Sequence, residues 1–148
     1  NYNIPMHLSI HTDGGSRGNP GHAGFGFVVY CPKGDILHQG SQYIGIKTNN
    51  EAEYAGLLSA LTWLQNYSQT NPVFSVDFFM DSELIVRQIQ GAYKVKATNL
   101  IPIFNQIKSL LSNFSFPVRF THVLRDKNKI ADQLANLAMD HGQKNQTN

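Results

Sequence analysis

The hydrophobic period of this chain first changes near Asn50, and that change limits the folds open to it. Before it, apolar residues alternate. In "MHLSIHTD", Met6, Leu8 and Ile10 point one way and His7, Ser9, His11 and Asp13 the other, the two-residue period of a strand that closes on Asp13. "HAGFGFVVY" and "ILHQGSQYIGI" read as two more strands, divided by the turn-forming runs "GSRGNPG" and "CPKGD". Connections that short predict an antiparallel meander. After Asn50, "NNEAEYAGLLSALTWLQNY" carries Leu57, Leu61 and Leu64 at helical steps. "VFSVDFFM" predicts a fourth strand and "SELIVRQIQG" a short helix. "IPIFNQIKSLLSNF" predicts another helix with Pro102 in its first turn, "VRFTHVL" the last strand and "KIADQLANLAMDHG" the last helix. The element order is βββαβααβα. This is an α/β chain in which strands added after the meander run parallel and helices pack on the sheet.

The 148 residues, 41% of them hydrophobic, suffice for one domain with a real core. That domain is expected to span residues 1–140. From His141 the sequence "HGQKNQTN" is polar and aperiodic, and residues 141–148 read as a disordered tail. A net charge of +2 leans only weakly toward an anionic partner. With Cys31 as the single cysteine, neither an internal disulfide nor a cysteine zinc site is open to the chain. No apolar run approaches the ~20 residues of a membrane span, and no secretory pattern opens the sequence, so a cytoplasmic protein without membrane contact is expected. The sequons at Asn66, Asn113 and Asn145 then read as chance matches. His7, His11 and His22 lack zinc-ligand spacing, and Phe74, Phe78, Phe104 and Phe116 read as core.

Four carboxylates stand at or near element boundaries. Asp13 closes the first strand before Gly14 and Gly15, where it could form an Asx-type turn or hold a cation at the mouth of a sheet. With a helix start at Asn50, Glu53 occupies the third helical position and could complete a capping box. It also lies among Leu57, Ala60 and Leu64 on the apolar stripe, whereas Glu51 points the opposite way. A carboxylate on a buried face needs a partner. Asp81 ends the fourth strand just before a helix. It could be a simple N-cap or a side chain at the carboxyl end of a sheet strand, where open α/β sheets bind ligands. Asp132 lies roughly opposite Ile130, Leu134, Leu137 and Ala138, which mark the apolar face of the last helix, and the helical wheel places it in solvent.

Taken together, these blocks resemble the type 1 ribonuclease H family. "TDGGSRGNPGHAGFGFVV" resembles its first hairpin, "TNNEAEYAGLLSAL" its first helix, "DSELIVRQIQGAYKVK" the junction after its fourth strand, and "HVLRDKNKIADQLANLA" its final loop and helix. The resemblance runs from about Ser9 to Met139. It implies a ribonuclease H-like mixed five-stranded sheet in the order 3-2-1-4-5, flanked by helices. It also implies that Asp13, Glu53, Asp81 and Asp132 form a metal-binding catalytic quartet. On that reading, carboxylates so close need cations to offset their repulsion. All-oxygen ligands suit Mg2+ or Mn2+. Two such ions with substrate bound would serve hydrolysis of the RNA strand of an RNA–DNA hybrid, leaving 5′-phosphate and 3′-hydroxyl ends.

The resemblance extends to substrate contacts. Asn19, Thr48, Asn49 and Asn50 match polar positions on the hybrid's minor groove and backbone. The backbone around Gly14, Gly15 and Ser16 is matched to the ribose 2′-hydroxyl, with the glycines admitting close approach. Two departures from the family stand out. The basic, tryptophan-containing protrusion of larger members is reduced to "GAYKVKATN", as in short archaeal-like and bacterial forms, so grip is expected from Arg17, Lys94, Lys96, Lys127 and Lys129. The last loop offers two residues for the family's histidine position. His122 lies ten residues before Asp132 but inside a strand, and Arg125 lies at the loop's start. Arg125, which can steady a phosphate but not shuttle a proton, is preferred, with His122 as the alternative. A monomer is expected. The competing readings are a non-catalytic hybrid-binding module and a DNA-acting nuclease of the same superfamily.

Overall fold

The alternating first third of the chain folds as a meander. The computed structural model describes residues 4–146. β1 (Met6–Gly18), β2 (Gly21–Tyr30) and β3 (Ile36–Lys47) pair antiparallel. There follow α1 (Asn49–Thr70), β4 (Val73–Met80), α2 (Glu83–Ile89), α3 (Ile101–Ser112) and β5 (Val118–His122). A single 3₁₀ turn (Arg125–Lys127) then leads into α4 (Lys129–Gln146). The sheet order is β3-β2-β1-β4-β5, with β4 parallel to both β1 and β5. This is the expected five-stranded mixed sheet. Pro102 sits in the first turn of α3, where its missing N–H costs nothing. Among the described residues, no helix is long and apolar enough to cross a membrane.

Successive β2 residues face opposite layers. Phe25, Phe27 and Val29 join Leu8, Ile10 and Phe78 in a core closed by Leu57, Leu61 and Leu64 of α1. Phe74 falls where the β1–β4 register slips, between the pairs Met6↔Val73 and His7↔Ser75, and is 68% exposed, contrary to the core placement expected for it.

The other β2 face meets α4 through small residues. A Cβ on Gly26 would stand 2.4 Å from Leu134 Cβ and 2.7 Å from the Ala131 carbonyl, so only glycine lets the helix lie this close. Ala131, Ala135, Ala138 and Met139 are buried there, whereas Leu137 is 61% exposed. Of the apolar face expected from Ile130, Leu134, Leu137 and Ala138, Ala138 is buried and Leu134 packs on Gly26, but Ile130 and Leu137 are exposed, so the buried face is centred on Ala131, Ala135 and Ala138 instead.

Two further expectations are corrected. β1 does not close on Asp13. Its pairing with β4 stops at Thr12↔Met80, but its pairing with β2 continues to Gly18↔Gly21. Nor is the segment from His141 irregular. α4 runs to Gln146, with Gly142 buried against the Tyr43 ring of β3, which extends the small-residue stripe one more turn. Residues 147 and 148 lie outside the described residues.

Candidate active site

Thr12↔Met80 is the last rung between the parallel strands β1 and β4, and the next residue on each strand is an aspartate. Asp13 and Asp81 thus emerge side by side just beyond the last rung of the parallel pair, where β4 ends and β1 continues against β2 alone, and a crevice opens there. Glu53 joins them from the first turns of α1. One carboxylate oxygen from each of Asp13, Glu53 and Asp81 lies within 4.8 Å of the others.

Neighbouring residues take the helix-capping work and leave these carboxylates free for the crevice. Thr48, not Asn50, caps α1. Its Oγ1 accepts from the Glu51 N–H at 3.1 Å, and Glu51 Oε1 accepts from the Thr48 N–H at 2.9 Å. The capping box is therefore Thr48–Glu51, two residues earlier than the register that would engage Glu53. Ser82, not Asp81, caps α2 by accepting from the Ile85 N–H at 3.4 Å.

α1 reaches the strand by pressing its backbone onto Gly14. A Cβ there would meet the Ala52 carbonyl at 2.5 Å, and the Gly14 N–H donates to Glu53 Oε1 at 3.2 Å. Gly14 is thus a glycine because of α1. A Cβ on Gly15 would meet the Met139 and Asn49 side chains no closer than 3.5 Å, an ordinary contact distance, and Gly15 lines the cleft.

The electrostatics of the cluster are unfavourable as they stand. Burial is the largest cause pushing Asp13 from its ordinary 3.8 up to about 7, and the charges of Asp81 and Asp132 add to it. Burial also raises Glu53 well above the usual carboxylate range, and the Asp13 charge works in the same direction. No donor among the described residues reaches the buried atoms Glu53 Oε2 and Asp81 Oδ2. Converging carboxylate oxygens that lack donors are a donor set for a hard divalent cation, and the residues present fit one.

A cleft of about 500 Å³ joins the cluster to most of the other expected residues: Gly14, Gly15, Ser16, Arg17, Asn49, Asn50, Arg125 and Asp132 line it. Asp132 reaches it because α4 packs on its alanines, which swings the aspartate toward Asp13 rather than into solvent. Several of these residues also hold the structure. Asn49 Oδ1 accepts from the Ser16 N–H at 2.9 Å, and Asn19 Oδ1 accepts from the Asn49 N–H at 2.9 Å. Arg17 pairs with Asp140 at 2.6 Å and donates to Asn136 Oδ1 at 2.9 Å. The two residues weighed for the last loop separate here. Arg125 lines the cleft, whereas half-buried His122 ends β5 opposite Met80 and is not part of the lining. Lys94 and Lys96 border a different hollow, between α2 and α3, with Tyr93 and Asn105.

Sequence reasoning missed Asn128, Asn136 and Ser82. Asn128 is 1% exposed. Its Nδ2–H donates to the Thr12 carbonyl at 2.9 Å, and its Oδ1 lies 3.1 Å from His11 Nδ1. A buried asparagine is invisible in a pattern that scores asparagine as loop.

A mixed sheet in this order, with carboxylates gathered beyond its central parallel strands, defines a ribonuclease H-like fold. The family described as Reverse transcriptase-like matches residues 11–138. The N-terminal RNase H domain of Rv2228c from Mycobacterium tuberculosis, solved as a fusion with maltose-binding protein, is 38% identical. It superposes with a TM-score of 0.87, covering 95% of this chain and 98% of that one. LC11-RNase H1, solved in complex with an RNA/DNA hybrid, is 46% identical with a TM-score of 0.86, covering 90% and 97%. The full-length Mycobacterium tuberculosis bifunctional protein Rv2228c is 41% identical over 136 residues, 91% of this chain and 36% of that protein. The chain thus spans about a third of the length of the mycobacterial relatives it matches. It belongs to the type 1 ribonuclease H family, within the Reverse transcriptase-like group.

Proposed function

We propose that this chain is a metal-dependent endoribonuclease that hydrolyses the RNA strand of RNA–DNA hybrids, leaving 5′-phosphate and 3′-hydroxyl ends without a covalent intermediate. One observation carries the reading. Asp13, Glu53 and Asp81 converge within 4.8 Å, with buried oxygens that no donor satisfies, at the floor of an open cleft. The family membership supports it, as does a 46% identical relative solved on an RNA/DNA hybrid.

Asp13, Glu53, Asp81 and Asp132 would hold two Mg2+ or Mn2+ ions. When bound, these supply a nucleophile at neutral pH and offset charge on the scissile phosphate. Gly15 leaves room for the RNA backbone, and backbone groups of Gly14 to Ser16 address the ribose 2′-hydroxyl, which separates RNA from DNA. Asn50, exposed parts of Asn49 and Thr48, and the neighbouring Asn19 bind phosphate or sugar oxygens. Arg125, whose guanidinium offers a planar fork of donors, steadies the phosphate at the cleft rim, in preference to His122. Lys94 and Lys96 hold the hybrid's backbone away from the reacting bond, as do exposed Lys127 and Lys129 beside Arg125. The chain acts as a monomer in the cytoplasm.

The test is cleavage of matched RNA–DNA, duplex RNA and duplex DNA substrates of one sequence. Cutting confined to the hybrid is expected. Equal cutting of duplex DNA would favour the DNA-acting alternative, and tight hybrid binding without cutting the non-catalytic one.

A further inference from the structure

We infer that Asn128 is a positioning residue: through its bonds to Thr12 and His11 it sets Asp132 and Arg125 against Asp13. It thereby sets how tightly the cluster holds a divalent cation. This deepens the ribonuclease reading of the cleft and rests on it.

The geometry centres on one buried side chain. The Asn128 N–H donates to the Arg125 carbonyl at 3.0 Å and closes the 3₁₀ turn. Its carbonyl accepts from the Asp132 N–H at 3.0 Å and opens α4. Its amide crosses to β1 at Thr12 and His11, the two residues before Asp13. Four polar groups of a single residue thus tie three parts of the cleft together. The Thr12 carbonyl can only accept, so Nδ2 faces it. Oδ1 is then left to accept from His11, whose proton sits on Nδ1.

The His11 ring is itself fixed. It stacks on Phe79 of β4 with centroids 4.8 Å apart and meets Tyr30 of β2 edge-on at 5.6 Å. Further along α4, Gly24 and Gly26 meet Ala138, Ala131, Leu134 and Met139, Ser41 Oγ donates to the Leu134 carbonyl at 2.6 Å, and Arg17 holds Asn136 and Asp140. These contacts fix the middle and far part of the helix. The Asn128 clip fixes its first turn, the end nearest the cluster.

The test compares wild type, Asn128→Ala and His11→Phe. Each is measured for Mn2+ affinity without nucleic acid, for kcat and KM on an RNA–DNA hybrid, and for unfolding. Removing a residue that orients metal ligands commonly weakens affinity or activity by about 10–100-fold. Asn128→Ala is therefore expected to weaken Mn2+ binding by at least about tenfold and to lower kcat, while KM stays near wild type. His11→Phe keeps the ring stack and loses only the donor, so a smaller change in the same direction is expected. Unchanged Mn2+ affinity and kcat in folded Asn128→Ala would overturn the inference, whatever its melting temperature. Should Asn128→Ala fail to fold, unchanged values in His11→Phe would overturn it equally. Failure of the ribonuclease reading looks different, because wild type itself would then neither bind Mn2+ nor cut the hybrid, and both would fall.

Discussion

The two faces of the sheet are built on opposite principles. Under α1, Leu57, Leu61 and Leu64 fill a deep apolar layer with Leu8, Ile10 and Phe78. Under α4, Gly24 and Gly26 meet Ala131, Ala135 and Ala138. The first face contributes most of the buried apolar volume and hence most of the hydrophobic stabilisation. The second brings a helix backbone close enough for Asp132 to join carboxylates from β1, α1 and the end of β4. One face holds the fold and the other places the chemistry, and substitutions should separate the two.

The largest stability effect is expected on the α1 face. Leu61→Ala leaves a cavity in a fully buried layer and should cost about 2–5 kcal/mol in denaturant unfolding. The folded fraction should keep its specific activity. On the α4 face, Gly26→Ala should cost about 1–3 kcal/mol through overpacking. It should also lower activity out of proportion, because the helix that must move carries Asp132. A Gly26→Ala protein with normal kcat per folded molecule would break the comparison.

A pH titration probes the cluster without mutation. Asp13 and Glu53 are raised in the folded state, mainly by burial, and the native protein retains protons that the unfolded chain releases near pH 4. The stability that Asp13 contributes is complete below about pH 4 and is lost as pH rises through about 7, and Glu53 adds to the decline in the same direction. Unfolding of the metal-free protein should show this decline, and Mg2+ or Mn2+ should reverse it at the upper end. A flat profile would mean that the carboxylates are already neutralised within the protein.

The smallest effect is expected at Glu51. Glutamine can also close a capping box, so Glu51→Gln should stay within about 0.5 kcal/mol of wild type with full turnover. Glu53→Gln, two residues on, should be inactive.

The same contrast explains what could be read from the sequence. Leucines at helical spacing marked the α1 face, so Glu53 was legible as an inward carboxylate. The element order and sheet order were legible from the change of period and the family resemblance. The α4 face was not, because alanine and glycine carry little weight on a hydrophobic wheel while exposed Leu137 carries much. Asp132 was accordingly turned outward by pattern and brought inward only by resemblance. The segment from His141 is illegible for a related reason: it is polar and aperiodic, yet the helix continues because Gly142, which adds nothing to an apolar period, packs on Tyr43. Which residue caps each helix was a question of one or two positions that spacing alone does not resolve. Thr48 and Ser82 settle it by freeing Glu53 and Asp81. Asn128 left no trace in the pattern, because its role depends on a contact with a residue 116 positions away.

The measurement that bears most directly on the account is cleavage of a strand-labelled RNA–DNA hybrid by wild type and Asp13→Asn, with and without Mg2+. The account predicts internal cuts in the RNA strand alone, 5′-phosphate ends, and dependence on the added metal. It predicts no cutting by Asp13→Asn, although that protein folds and, without metal, is at least as stable as wild type. Near wild-type cutting by Asp13→Asn at saturating Mg2+, or cuts in the DNA strand at equal rate, would contradict it.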